Sequence, residues 1–236
     1  MFYCKMRNNE ILKLNVPESV YGPREDSLLI AAELEKILES KNKKSVLESN
    51  NLRSGSKSKS SHENFVFGAA KKRSFLCVLK VLDIGCGSGL LSIIAAKRGC
   101  DVLAADINPS AVECAERNAE LNNVKIKTAR SNLFDNLEGK FDLIIFNPPY
   151  LPEEQTEDSR NWAGGKNLEV ITRFIKDAGA HLELNGEILI VISSLSNPES
   201  VLKEFSDSGF DARIIAERKI PWEKLFVICA KNAENI

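Results

Sequence analysis

The segment Asp83-Ile84-Gly85-Cys86-Gly87-Ser88-Gly89 follows an apolar run and opens a helical one, so its glycines let a ligand approach the backbone where helix-end N–H groups are available. That points to a nucleotide-type ligand. A nicotinamide fingerprint asks for Gly-x-Gly-x-x-Gly or Ala, but counting from Gly85 the sixth residue is Leu90, and Asp83 stands at the strand end. A pyrophosphate is poorly served beside that carboxylate. A ligand with an amino group or cationic centre is well served, which favours S-adenosylmethionine over NAD. The next predicted strand ends at Asp106, spaced so that its carboxylate reaches the ribose hydroxyls of a bound nucleoside; helix capping is the plainer role for the same residue. The third group is Asn147-Pro148-Pro149-Tyr150, directly after a predicted strand. Its prolines fix φ and stiffen the loop. A planar NH2 group can donate to the Asn147 side-chain carbonyl and to the Pro148 backbone carbonyl while Tyr150 covers its face, which leaves the nitrogen lone pair aimed at the methyl group.

Alternating β-rich and helical runs supply the frame for these residues and predict βαβ units with a parallel sheet. Strands are expected over Val78–Ile84, Val102–Asp106, Val124–Ala129, Phe141–Phe146 and Glu187–Ile192, and helices over Leu90–Arg98, Pro109–Leu121, Leu168–Leu182 and Pro198–Phe205. Arg213–Ala216 and Leu225–Ala230 read as a closing antiparallel pair. The predicted fold is α/β, a doubly wound, Rossmann-like, seven-stranded and mostly parallel sheet. Its expected parts are residues 1–39, an N-terminal extension with a helix; 40–76, an insert; and 77–236, the core.

Composition narrows the function. Apolar residues make up 43% of the chain, an ordinary globular share, and 32 Lys+Arg against 33 Asp+Glu give a net charge of −1. Residues 40–76 hold nine serines and nine Lys/Arg against two Glu, a local +7 that leaves −8 on the rest. Such a stretch cannot bury enough apolar surface to offset ordering entropy and is expected to be a mobile, solvated insert. With His62 and His181 the only histidines, a histidine relay has nothing to use, and the six cysteines contain no CxxC pair, so no metal site is expected. Apolar runs are short of the roughly 18 residues of a membrane span and no signal-peptide core follows Met1, so a cytoplasmic protein is expected.

Taken together, these motifs resemble class I S-adenosylmethionine-dependent methyltransferases, and specifically the glutamine N5 methyltransferases of peptide-chain release factors. The resemblance covers about Val16 to Asn232 apart from the insert. It is carried by Val20-Tyr-Gly-Pro-Arg-Glu-Asp-Ser27, by the Asp83–Gly89 turn with Asp106, and by Asn147–Tyr150 followed by Trp162-Ala-Gly-Gly165. It favours the short archaeal and eukaryotic-type branch, which lacks the helical N-terminal domain of bacterial members. It implies that Ser27, Asp83, Gly85, Gly87, Asp106, Asn132 and Asn147 touch the cofactor and that Asn147, Pro148 and Tyr150 handle the target amide beside it. Asn132-Leu133 stands where the family has Asp-Leu, and an Asn carbonyl still accepts the adenine amino hydrogen without carrying charge.

Two other readings remain open. One keeps the site but methylates an exocyclic amine of adenine or guanine in RNA or DNA; the −8 body opposes it and the +7 insert is its support. The other is a non-catalytic, cofactor-binding assembly partner. The resemblance further implies a small zinc-containing activator protein at the open edge strand Val124–Ala129, near Val124 and Ile126, although Lys125 and Lys127 are of a type that also blocks edge association.

Overall fold

The computed structural model describes residues 1–54, 78–148 and 165–233. A hairpin of β1 (Phe2–Lys5) and β2 (Ile11–Leu14) precedes α1 (Glu25–Ser54). The main sheet is then built from β3 (Lys80–Ile84), β4 (Asp101–Asp106), β5 (Lys127–Arg130), β6 (Phe141–Phe146), β7 (Leu182–Ser193), β8 (Phe210–Ile220) and β9 (Glu223–Asn232). Between them run α2 (Leu90–Lys97), α3 (Pro109–Leu121), α4 (Gly165–His181) and α5 (Pro198–Asp207). Strand order is β5-β4-β3-β6-β7-β9-β8, parallel from β5 to β7, with β9 antiparallel to both β7 and β8.

The parallel strands are apolar on both faces because helices cover both. Val81, Leu143, Ile145, Leu189 and Val191 pack with α1 and α2, while Leu82, Ile144, Ile188, Ile190 and Ile192 pack with α4 and α5, as a period of two requires. On the second face the Phe146 and Phe174 rings pack tilted by 30° with centroids 4.5 Å apart, and Phe134 stacks on His181 at 4.7 Å. Phe146 is the last residue before Asn147, so this aromatic packing anchors the start of the loop. Truncating such a buried ring costs about 3–5 kcal/mol.

Several boundaries depart from the sequence reading. The N-terminal hairpin was not foreseen; β2 is held by α3 amides, with Asn122 bonding both the N–H (3.0 Å) and the C=O (2.7 Å) of Lys13, and Asn118 accepting from the Asn15 N–H at 2.7 Å. Helix α1 continues through residues 40–54, the first part of the expected insert, because Leu34 and Leu38 bury its stem, Lys41 pairs with Glu187 and no Gly or Pro interrupts the run; residues 55–76 lie outside the described residues. Asn185-Gly186 lies inside β7 at a register shift rather than before its strand, and a Cβ on Gly186 would meet Leu182 at 2.8 Å. Edge strand β5 starts at Lys127; Val124 and Ile126 are partly buried against the core beneath it. The closing hairpin is longer than read, ten or eleven residues a strand.

Candidate functional site

A cavity of about 720 Å³ opens at the carboxyl ends of β3, β4 and β6, under the segment that leads into α1. Ser27, Gly85, Gly87, Asp106, Asn132, Asn147 and Pro148 all line it. Tyr150 and Trp162–Gly164 lie outside the described residues. Asp83 does not line the cavity: it is 1% exposed beneath the turn, and its Oδ2 accepts from the Ser92 N–H at 3.0 Å and from the Ser92 hydroxyl.

The Gly85–Gly89 turn has its shape for local reasons. Gly85, Gly87 and Gly89 have φ of 65°, 50° and 79°, where an L side chain is strained. At Gly89 a Cβ would also stand 2.9 Å from Ala115, so glycine alone lets α2 start against α3. Beside the turn Asp106 accepts from the Gly87 N–H at 3.0 Å through one oxygen and from the Asn108 N–H at 2.9 Å through the other. Asn108 caps α3 by accepting from the Ser110 N–H at 3.0 Å and donates to the Ser19 carbonyl at 3.0 Å. Helix capping thus belongs to Asn108, and Asp106 faces the turn. Burial pushes the Asp83 carboxyl up to about 7, opposed by its two Ser92 bonds and reinforced by the nearby Asp106 charge.

Across the cavity the arrangement rests on side chains. Asn147 Nδ2 donates to Ser27 Oγ at 3.2 Å and, more weakly, to Asp26 Oδ2 at 3.4 Å, while the Tyr21 hydroxyl donates to the same Asp26 oxygen at 3.0 Å. Ser27 itself donates from both N–H and hydroxyl to Asp26 Oδ1. The Arg24 guanidinium sits 5.1 Å from the centre of the Tyr21 ring. Burial, then the Asp26 charge and hydrogen bond, push the Tyr21 phenol up, so it stays a donor. Asp26 and Tyr21 were not singled out from the sequence as site residues; the only signal was their presence beside Ser27 in Tyr21-Gly-Pro-Arg-Glu-Asp26-Ser27.

The cavity fits S-adenosylmethionine on its own terms. Asp106 presents a carboxylate beside the backbone of the glycine turn, and Ile107, 59% exposed, and Leu133 add apolar surface to the same lining. Asn132 adds an acceptor at the same end, and Asp83 adds negative charge beneath the turn for a cationic ligand.

Comparison with known proteins agrees. Residues 73–212 match the family described as methyltransferase small domain. "Putative protein N5-glutamine methyltransferase MJ0928" of Methanocaldococcus jannaschii is 36% identical over 228 residues, covering 94% of this chain and 96% of that protein. The release factor glutamine methyltransferase of Lactococcus lactis is 32% identical over 127 residues, covering 48% of this chain and 47% of its own. Among solved structures, the E. cuniculi Mtq2-Trm112 complex, responsible for methylating the eRF1 translation termination factor, superposes with a TM-score of 0.52 at 27% identity, over 69% of this chain and 90% of that one.

Proposed function

The chain belongs to the methyltransferase small domain family, and we propose that it methylates the side-chain amide nitrogen of the glutamine in a Gly-Gly-Gln segment of a peptide-chain release factor. S-adenosylmethionine is the cofactor; when bound it supplies an electrophilic methyl group on a cationic sulfur. The observation that carries the reading is the seating of Asn147, whose Nδ2 is occupied by Ser27 and Asp26. Because a carboxylate only accepts, this pairing decides which end of the Asn147 amide is its acceptor end, the end a substrate NH2 needs.

An amide nitrogen is a poor nucleophile because its lone pair is delocalised into the carbonyl. Asn147 Oδ1 and the Pro148 carbonyl accept its two hydrogens, turn the lone pair out of the loop and hold it on the line of transfer. Positioning of this kind supplies up to about 7–11 kcal/mol of barrier lowering. The proton leaves after the new N–C bond forms, so no strong base is required at Asn147. Asp106, Asn132 and the Gly85–Gly87 backbone hold the cofactor, with Asp83 supplying charge beneath them.

A small zinc-containing activator at the β5 edge accompanies this proposal. Its support is the open position of β5 in the sheet and the two-protein assembly named for the E. cuniculi structure. The reading implies the cytoplasm; among the described residues no helix is long and apolar enough to cross a membrane. The test is incubation with labelled cofactor and a release factor, its Gly-Gly-Gln glutamine replaced by alanine in parallel, and bulk RNA. Label in the native release factor alone is the expected result. Label in RNA, or retained by the alanine variant, overturns the assignment.

A further inference from the structure

Strands β8 and β9 turn through Pro221 and Trp222, the two residues between the paired Ile220 and Glu223. Two-residue hairpins favour turns with positive φ at the first central residue, because these match the twist of the strands. Proline forbids that conformation. The positive φ falls instead on Trp222, at 73°, a position suited to Gly or Asn and strained for a bulky side chain. Trp222 gains no burial in return, being 100% exposed, and Leu195 beside the end of β7 is 53% exposed. Neither the strain nor the exposed indole helps the isolated fold, so both call for a role outside it.

The tip is held firmly and in a telling place. The Ser193 hydroxyl donates to the Glu223 carboxylate, Ser194 Oγ accepts from the Lys224 N–H at 3.0 Å, and the Lys224 ammonium pairs with Glu217 at 3.4 Å. Since Ser193 at the end of β7 lies opposite Leu225 near the start of β9, the turn overhangs the carboxyl edge that carries Asn147. Ile220, Glu223 and Leu225 line the same cavity as Asn147. Only β7 separates β6 from β9, so the two lie about 10 Å apart, the reach of about three residues of extended peptide. Arg218 and Lys219 are exposed next to the tip.

We propose that this hairpin tip is a docking site for the protein substrate, in which Trp222 and Leu195 receive an apolar side chain and Arg218 or Lys219 an acidic one, about three to five residues from the residue that enters the cavity. The proposal rests on the protein-substrate reading above and names the second point of attachment it needs. A single amide in a cavity offers little to distinguish one protein from another; an aromatic anchor with adjacent charge, at peptide reach from Asn147, does.

Trp222→Gly tests it on the full chain, because glycine accepts the positive φ and folding is preserved. The expected result is a KM for the release factor raised about tenfold, with cofactor affinity unchanged and a melting temperature equal to or above that of the native chain. In a Trp162→Phe background Trp222 is the sole tryptophan, and its emission is expected to shift to the blue on adding release factor but not bulk RNA. Normal methylation of the release factor with KM within twofold in Trp222→Gly removes the docking site and leaves the activity standing. A shift with RNA in place of protein overturns the docking site as well. Failure of the native chain to methylate the release factor overturns the activity itself and this site with it.

Discussion

Asp106 ends β4 and Asn147 directly follows β6, parallel strands on either side of β3, and both make hydrogen bonds at the cavity wall, yet their partners differ in kind. Asp106 is held by backbone N–H groups of Gly87 and Asn108, at most 19 residues away. Asn147 is held by the side chains of Asp26 and Ser27, 121 and 120 residues away. On the proposed function, the cofactor half is thus a product of local backbone geometry, whereas the target half depends on a docked N-terminal segment. Its Ser19–Ser27 strip is fixed by the Asn108–Ser19 bond and by Phe2, whose ring would lie 3.0 Å from a Cβ on Gly22. Separate supports should give separable losses.

The largest loss is expected for Asn147→Ala. Removing the acceptor that orients the target amide should lower turnover on the order of 10²–10³-fold or more, with cofactor affinity within several-fold. Turnover and calorimetric affinity measured side by side check it, and a parallel loss of both would merge the two halves. Asp26→Ala comes next, because Asp26 touches Asn147 and Tyr21 and acts through position. About 10²-fold lower kcat is expected at saturating cofactor, with release-factor KM little changed. A loss confined to cofactor affinity would assign Asp26 to the other half.

Asp106→Ala should act in reverse. Charge-assisted hydrogen bonds to a ligand and the hold on Gly87 are lost together, so cofactor affinity should fall by about 1–3 kcal/mol, roughly fivefold to 150-fold, while kcat at saturation falls far less. A titration that matched the native chain would leave Asp106 a purely structural ligand of the turn.

The same contrast explains what could be read from the sequence. The glycine turn, Asp106 and the strand end before Asn147 are encoded within short stretches, where positive φ, a helix start and a fixed spacing leave marks. The partnership of Asp26 with Asn147 leaves none, because it joins residues far apart in the chain through an exchange of side-chain hydrogen bonds. Asn118 in α3 and Asn122 at its C-terminal cap likewise read as ordinary polar residues until β2 and the residue after it are seen lying on their amides. Helix α1 was cut short because the serine- and lysine-rich run looked too polar to order, yet Lys41 lies 3.3 Å from Glu187 of β7. Asn185-Gly186 precedes the strand expected from Glu187 yet lies inside β7, because a bulge asks for the same residues that precede a strand.

Asp83 tests the comparison most finely, being part of the cofactor half without reaching the cavity. Burial raises its carboxyl to about 7, well above its value in the unfolded chain. The folded chain therefore holds a proton that the unfolded chain has released between about pH 4 and pH 7, so this group makes stability fall as pH rises through that window and level off above it. Asp83→Asn removes the cost of an ionised buried carboxyl while keeping an acceptor for Ser92. Its melting temperature is expected to exceed that of the native chain at about pH 8 by several degrees and to approach it at about pH 5. Cofactor binding should answer in the opposite sense. Only the ionised carboxyl attracts a cationic ligand, so native affinity should tighten by up to about tenfold from pH 6 to pH 8, and Asp83→Asn should be weaker at the upper pH and flat across the range. Turnover at saturating cofactor should change least of all these variants, because Asp83 neither touches the target amide nor positions a residue that does. A native binding curve that does not change with pH, or a variant less stable than the native chain at pH 8, would mean that Asp83 serves the turn through its Ser92 hydrogen bonds alone.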